Sequence, residues 1–228
     1  MNKKYDVVIV GAGPAGIFTA YEMITRGSTK KILMIEKGQP IEKRSCPKAV
    51  TGHCVSCKPC NITTGFSGAG AFSDGKMSLS YEVGGDFPEL IGADAAQALI
   101  DYTDSVYLAF GADTHVEGVS EPEKVKEIRR RAIQAGLKLV DCPIRHLGTE
   151  KAQELYKKLE HFLQEHGVDM IFGCTCEDLI INDGVCKGVV INLPGGRTEY
   201  EADSVVVATG RRGAEWLEKL GARYDIAH

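Results

Sequence analysis

A glycine-rich hexapeptide near the N-terminus has the residue types and spacing of a phosphate-binding turn. Residues 11–16 are GAGPAG, which fits the pattern GxGxxG. In this pattern Gly11 allows a tight turn, Gly13 lets the backbone approach a pyrophosphate, and Gly16 lets a helix pack closely on a strand. The unpaired N–H groups at the start of that helix would then face the phosphates.

Glu36 is the second polar group of this candidate site. It follows Gly16 by twenty residues, at the end of the next apolar run. A carboxylate in this place accepts hydrogen bonds from ribose hydroxyls, and its charge repels a 2′-phosphate, which disfavours NADP. The hexapeptide and Glu36 together predict a dinucleotide site, and a chance glycine turn is the alternative.

The elements around the hexapeptide form a βαβ pattern. Residues 7–10 are β-branched and apolar on both faces, which is typical of a buried parallel strand. Residues 17–26 are predicted to form a helix that ends near Gly27, and residues 32–35 a second strand. A strand, a glycine turn, a helix and a strand therefore open the chain.

The rest of the chain divides into a loop region, a helical region and a strand region. We expect little regular structure in residues 38–85, helices within 87–136, and a helix over 150–166. Turn signals at 182–184 and 194–196 separate short strands that look like an antiparallel meander, inserted before the sheet resumes. The predicted strands are 169–173, 178–181, 185–193, 197–200 and 205–207.

Composition excludes several classes of protein. The chain has 228 residues, 43% hydrophobic and 25% charged, which excludes a disordered tail, a collagen-like repeat and a coiled coil. A net charge of −4 argues against a nucleic-acid partner. No apolar run approaches the ~18 residues of a membrane span. We see no signal core at the N-terminus, so we expect a cytoplasmic protein without a membrane partner.

Four cysteines are spaced C-x7-C-x2-C-x2-C, and three functions are open for them. Four thiolates could hold zinc or an iron–sulfur cluster, or a pair could act as a redox dithiol. Free thiols crowded in a loop are the third alternative. The candidate metal ligands are Cys46, Cys54, Cys57 and Cys60. The four other cysteines, at 142, 174, 176 and 186, are expected to be inert core thiols.

A tripeptide late in the chain distinguishes FAD from NAD. Ala208, Thr209 and Gly210 follow a valine-rich strand and the predicted meander. They resemble the second nucleotide-contact segment of flavoproteins with two dinucleotide-binding domains, of the glutathione reductase and fumarate reductase types. A buried strand that ends in a glycine turn is the alternative, but the position of the tripeptide favours FAD.

Longer stretches are similar to a family of bacterial FAD-dependent dehydrogenases. The resemblance runs in order from Lys4 to the C-terminus and depends on three stretches: CPKAVTGHCVSCKPCNITTGFSGAGAFSDGKMSLS, CPIRHLGTE and VVVATGRRGAEW. It implies bound FAD, with Cys176, on the strand after Gly167, offering backbone groups to the adenine. The implied cofactor-binding set is Gly11, Gly13, Pro14, Ala15, Gly16, Glu36, Lys37, Arg44, Gly68, Ala69, Gly70, Cys176, Ala208, Thr209 and Gly210.

Candidate catalytic residues are few. Arg145 and His146 lie just before a predicted helix start, with Thr149 as its N-cap. They could bind an anionic substrate or hold a proton near the flavin. A capping and salt-bridge role is the alternative for the pair.

The predicted fold is α/β, a Rossmann-like FAD-binding domain with a parallel sheet, an antiparallel β-meander and a small helical insertion. Residues 1–85 and 148–228 would form the FAD-binding domain, and 86–147 the insertion. The predicted function is that of an FAD-dependent oxidoreductase acting on a small-molecule substrate or electron acceptor. A non-catalytic dinucleotide- or metal-binding module is one alternative. The other is half of a split flavoprotein, because chains of the resembled family are longer and a partner chain or C-terminal region would complete the flavin site.

Overall fold

Two groups of strands, six in one sheet and two in another, organise the chain. The computed structural model describes residues 3–226. The strands are β1 (Lys3–Val10), β2 (Ile32–Glu36), β3 (Lys76–Ser78), β4 (Ile144–His146), β5 (Val168–Phe172), β6 (Thr175–Asn182), β7 (Val185–Leu193) and β8 (Gly196–Val207). The helices are α1 (Pro14–Thr25), α2 (Lys48–Thr51), α3 (Phe87–Ile91), α4 (Ala93–Ala109), α5 (Pro122–Gln134), α6 (Thr149–Glu165) and α7 (Ala214–Tyr224).

The chain forms two compact units. The first contains the residues up to Ala71 and those from Tyr156 onward, and the second spans Phe72–Leu155. The predicted insertion, 86–147, lies within the second unit, whose bounds extend beyond it on both sides. The division at 85/86 and 147/148 stays a prediction.

The six-stranded sheet of the first unit is parallel in one half and antiparallel in the other. Its strand order is β5-β2-β1-β8-β7-β6. The four neighbouring strands β5, β2, β1 and β8 are parallel, and the pairs β8–β7 and β7–β6 are antiparallel. This is the predicted fold class, a parallel sheet with an antiparallel meander, and it is confirmed.

One strand replaces two that were predicted. Strands at 197–200 and 205–207 were expected, but β8 runs without a break from Gly196 to Val207. Its first part pairs with β7 and its second part with β1, so β8 joins the meander to the parallel strands. Residues 200–203 alternate between buried and exposed, a period of two that a continuous strand requires.

The core lies around β1 and β2. Val8, Ile9 and Leu33 are completely buried, as expected for parallel strands covered on both faces. Val8 and Leu33 share one apolar cluster with Val189 of β7 and Tyr200 of β8. The meander therefore packs on the same sheet that carries the glycine-rich hexapeptide.

The second unit pairs short strands and helices. β3 and β4 are antiparallel, with Met77 opposite Arg145, and α3 and α4 follow each other directly, joined at Gly92. The unit contains an apolar cavity of about 350 Å³ whose lining includes Met77, Phe87, Leu99 and Tyr107. No helix within residues 3–226 is both long and apolar enough to cross a membrane.

Candidate cofactor site

Gly11 and Gly16 are required by backbone packing. Gly11 has φ +108°, and a Cβ atom there would lie 2.5 Å from the carbonyl oxygen of Ala208. A Cβ atom on Gly16 would lie 2.0 Å from the carbonyl oxygen of Gly11. Because neither position has room for a side chain, β1, α1 and the end of β8 approach one another closely here.

Gly13 differs, since a Cβ atom there would meet no described atom within 4 Å. It is the N-cap of α1 and, having no side chain, makes no side-chain capping hydrogen bond to the first turn of that helix. Pro14 and Ala15 at the first turn are exposed. The start of α1 is therefore open to an anionic ligand, which its N–H groups and dipole would stabilise.

Glu36 lies beside this turn and is 8% exposed. Its Oε2 accepts the N–H of Ala12 and its Oε1 accepts the N–H of Gly38, both at 2.9 Å. Each carboxylate oxygen can accept a second hydrogen bond. The carboxylate is therefore fixed in place and still able to accept ribose hydroxyls. Lys37, the next residue, is half-buried.

The segment that contains Gly68, Ala69 and Gly70 lies against the hexapeptide. The N–H of Ser67 donates to the carbonyl oxygen of Ala12 at 2.8 Å. A Cβ atom on Gly68 would be 4.0 Å from the Cα of Gly13. The structure thus brings together two segments that are more than fifty residues apart in the sequence.

The tripeptide after β8, residues 208–210, forms a third side of the candidate cofactor site. The N–H of Ala208 donates to the carbonyl oxygen of Val10 at 2.8 Å, and Gly210 has φ +58°. The hexapeptide, Glu36 and this tripeptide therefore follow the carboxyl ends of three adjacent parallel strands, β1, β2 and β8. β1 lies between β2 and β8, so the chain that leaves β1 crosses to β2 on one side, and β8 pairs with β1 on the other. Open α/β sheets bind ligands at a point where the strand order changes direction in this way.

Cys176 is not on the strand where it was predicted. β5 follows Gly167, and Cys176 lies on the next strand, β6. The reason is a turn at Gly173, which has φ +70° and donates its N–H to the carbonyl oxygen of Gly38. Burial raises the pKa of the Cys176 thiol to about 12, which disfavours the thiolate form at neutral pH. Its contact with adenine stays a prediction.

The four cysteines of the spaced cluster are not assembled into a metal site. All are free, and only Cys54 is fully exposed. Among residues 3–226, no three His, Cys, Asp or Glu side chains are arranged so that they could hold a metal ion. Backbone and side-chain hydrogen bonds from Ile62 and Thr63 lower the pKa of the Cys60 thiol. The geometry therefore does not support the zinc or iron–sulfur alternative.

Arg145 forms a buried ion pair in the second unit. It is 4% exposed, and its Nε and Nη2 donate to both carboxylate oxygens of Asp104, at 2.5 and 2.6 Å. His146 is exposed. Thr149 is the first residue of α6, so the N-cap position falls on Gly148 and not on Thr149, whose hydroxyl donates to the carbonyl oxygen of Ser73 at 3.1 Å. Of the two roles considered for Arg145, the geometry favours the salt bridge.

Sequence reasoning missed the internal contacts of Arg44. This side chain is 5% exposed and donates to the carbonyl oxygens of Asn61 and Phe66 and to the hydroxyl of Ser67. A basic residue after the second strand was the only signal, and it does not identify acceptors seventeen or more residues away.

Solved structures with the same fold are an oxidase and a dehydrogenase by their names. Glycine oxidase from Geobacillus kaustophilus is 18% identical with a TM-score of 0.52, and the match covers 99% of this chain and 60% of that one. 3-Ketosteroid-delta4-(5alpha)-dehydrogenase from Rhodococcus jostii RHA1 is 17% identical with a TM-score of 0.54, and the match covers 90% of this chain and 45% of that one. Identities this low show the fold alone. The chain spans roughly half to three fifths of the length of these structures.

Two sequence comparisons complete the assignment. No curated protein matches the sequence at a significant level. The family model of the FAD binding domain matches residues 6–227, almost the whole chain. The open glycine turn, the fixed carboxylate and the position at the sheet edge agree with that match. The chain belongs to the FAD binding domain family.

Proposed function

We propose that this chain holds FAD at the carboxyl ends of β1, β2 and β8, as the cofactor-binding part of a flavin-dependent oxidoreductase. The observation that carries the proposal is the open space at Gly13, at the start of α1 and beside the Ser67–Gly68 backbone. A pyrophosphate is the part of FAD that needs such a close approach to the backbone. When bound, FAD supplies electron or hydride transfer through its isoalloxazine ring.

The chain's own residues fit distinct parts of the cofactor. The N–H groups at the start of α1 would donate to the phosphates, and Glu36 would accept the ribose hydroxyls. The carboxylate adds specificity, because a 2′-phosphate beside it would meet both its charge and its fixed position. Gly68 and the tripeptide from Ala208 would line the remaining sides.

The activity of the whole protein is a further part of the proposal. The substrate or electron acceptor would be a small molecule, and residues beyond those described here, from the same protein or a partner chain, would complete the flavin pocket. The support for this is that similar structures are longer than this chain, which covers 45–60% of the two that share its fold at a TM-score above 0.5.

Titration with FAD tests the proposal. The purified chain should bind FAD, quench its fluorescence and acquire a yellow flavin spectrum. Gly13→Val fills the open space and should weaken FAD at least about tenfold, a loss of 1.4 kcal/mol of binding free energy. Gly195→Val is the matched control. A Cβ atom on Gly195 would also meet no described atom within 4 Å, but Gly195 lies in the β7–β8 turn. A wild-type chain that takes up no FAD would contradict the proposal.

A further inference from the structure

Arg44 is buried in the first unit, and one short stretch of chain wraps around it. Its Nε donates to the carbonyl oxygen of Asn61 at 2.8 Å. Its Nη1 donates to the carbonyl oxygen of Phe66 and, at 3.4 Å, to the hydroxyl of Ser67. The planar guanidinium thus binds acceptors at both ends of residues 61–67, which the fixed geometry of its donors permits.

Packing around Arg44 is as close as the hydrogen bonding. Gly65 has φ +126°, and a Cβ atom there would lie 2.7 Å from the Arg44 Cδ and 2.8 Å from its Nε. A Cβ atom on Gly65 would also lie 2.6 Å from the Gln39 carbonyl oxygen, and one on Gly38 would lie 2.4 Å from the Gly65 nitrogen. Gly65 is therefore in close contact with both the Arg44 side chain and the turn after β2.

The charge of Arg44 lies near acidic groups of the protein. Burial lowers the pKa of Arg44 to about 10, while Glu36, Cys60 and Glu160 act in the opposite direction. The guanidinium is therefore charged at neutral pH. The two carboxylates are 8% and 4% exposed, as buried as the guanidinium itself. These groups therefore offset part of the cost of burying the Arg44 charge.

The stretch held by Arg44 continues directly into the wall of the cofactor site. Ser67 accepts from Arg44 through its hydroxyl and donates its N–H to the carbonyl oxygen of Ala12. Its hydroxyl also accepts the N–H of Ala71, and the next residue, Gly68, faces Gly13. A displacement of Arg44 would therefore move the wall that faces the open space at Gly13.

We infer that Arg44 is a positioning residue, which holds the Ser67–Gly68 backbone at the distance from Gly13 that FAD requires and acts through this backbone. The inference depends on the proposed binding of FAD at the glycine turn. The competing role is a direct charge contact between Arg44 and a phosphate of the cofactor, and the two roles make different predictions for lysine.

The test compares Arg44→Lys with Arg44→Gln by FAD titration of the folded chain. Lysine keeps the charge but loses the fork that binds three acceptors. If Arg44 positions the wall, both variants should weaken FAD by about tenfold or more, and to a similar extent. If Arg44→Lys binds FAD as tightly as the wild type, charge alone is sufficient and the inference is wrong. It is equally wrong if both variants bind like the wild type.

Asp104→Asn is the control for lost stability. It breaks a buried charge pair in the second unit, so it should lower the free energy of unfolding and leave the FAD Kd unchanged. An equal loss of affinity in this variant would mean that stability, not position, determines binding. Hydrogen exchange adds a readout that needs no cofactor: in Arg44→Lys the Ser67 amide should exchange faster, and unchanged exchange contradicts the inference.

A milder variant covers the case in which both Arg44 variants fail to fold. Ser67→Ala removes one acceptor of Arg44 and leaves the Ser67 N–H bond to Ala12. It should weaken FAD about threefold, and no change would overturn the inference. Failure of the wild type to bind FAD would instead contradict the proposed function, so the two failures can be told apart.

Discussion

At the residue scale, two glycines of the same hexapeptide have separate roles. Gly16 has no space for a methyl group, since its Cβ atom would lie 2.0 Å from the Gly11 carbonyl oxygen. Gly13 has that space and has φ −78°. Close packing therefore depends on Gly16, and space for the ligand depends on Gly13.

Gly16→Ala should destabilise the protein without bound FAD. The added methyl group forces α1 away from the turn, which should lower the free energy of unfolding by about 2–3 kcal/mol. Gly13→Ala should change it by less than about 0.5 kcal/mol, since the methyl group meets no atom. Urea denaturation of both variants checks this, and equal losses of stability would contradict the division of roles.

The buried carboxyl of Glu160 predicts a pH dependence. Burial raises the pKa of Glu160, although Oε2 accepts the Ile41 N–H at 2.8 Å. Because the folded-state pKa is raised, ionisation of this acid costs stability above that pKa. The cost disappears as the pH falls through the folded-state pKa toward 4.5, the ordinary value.

Glu160→Gln should therefore be more stable than the wild type at pH 8, with a difference that closes as the pH is lowered toward 4.5. Glutamine keeps an acceptor for the Ile41 N–H and carries no charge. Glu42→Gln is the control, because Lys157 lowers the pKa of the exposed Glu42, so its removal should not stabilise at pH 8. Urea denaturation at several pH values measures both, and an unchanged difference for Glu160→Gln from pH 8 to 4.5 refutes the prediction.

At the element scale, β4 and α4 are joined by a buried ion pair in the second unit. The side chains of Arg145 and Asp104 are 5% and 14% exposed, and Arg145 also donates to the carbonyl oxygen of Asp113. Asp104 raises the pKa of Arg145, so the guanidinium stays charged. Removal of one partner would leave a buried charge with no counter-ion.

Arg145→Ala should therefore lower the free energy of unfolding of the second unit by about 3–5 kcal/mol. Lys151→Ala is the matched control, since Lys151 forms an exposed ion pair with Asp113 at 3.0 Å and should cost less than about 1 kcal/mol. The one tryptophan, Trp216, belongs to the first unit, so circular dichroism is the suitable probe. Similar losses of unfolding free energy for both variants would show that the Arg145–Asp104 ion pair contributes no more to stability than an exposed ion pair.

Local patterns were sufficient to predict some elements and not others. The βαβ start, the hexapeptide and Glu36 lie within the first 36 residues, so their spacing alone predicted the turn and the carboxylate. The continuity of β8 was not predicted. Glu201 and Asp203 alternate with buried residues, but this alternation can be recognised only when the strands that pair with β8 are known. The Arg44 contacts depend on tertiary folding, which brings distant carbonyl groups to one guanidinium.

At the scale of the whole molecule, the candidate cofactor residues are concentrated in one unit. The hexapeptide, Glu36, the Ser67–Gly68 backbone and the tripeptide from Ala208 all belong to the first unit. Arg145 and His146 belong to the second. FAD should therefore act on the folding equilibrium of the first unit, since a ligand stabilises the folded form that binds it.

Hydrogen exchange with and without FAD measures this linkage. At a free FAD concentration of about 100 times Kd, the first unit should gain about 2.7 kcal/mol, which slows exchange through its unfolding about 100-fold. Core amides of β1, β2 and β8 should show this protection, and those of α5 in the second unit should show less, because the units open separately. Gly13→Val at the same FAD concentration should show little protection. Equal protection in both units would mean that they unfold together, and none in β1 would mean that FAD binds elsewhere or not at all.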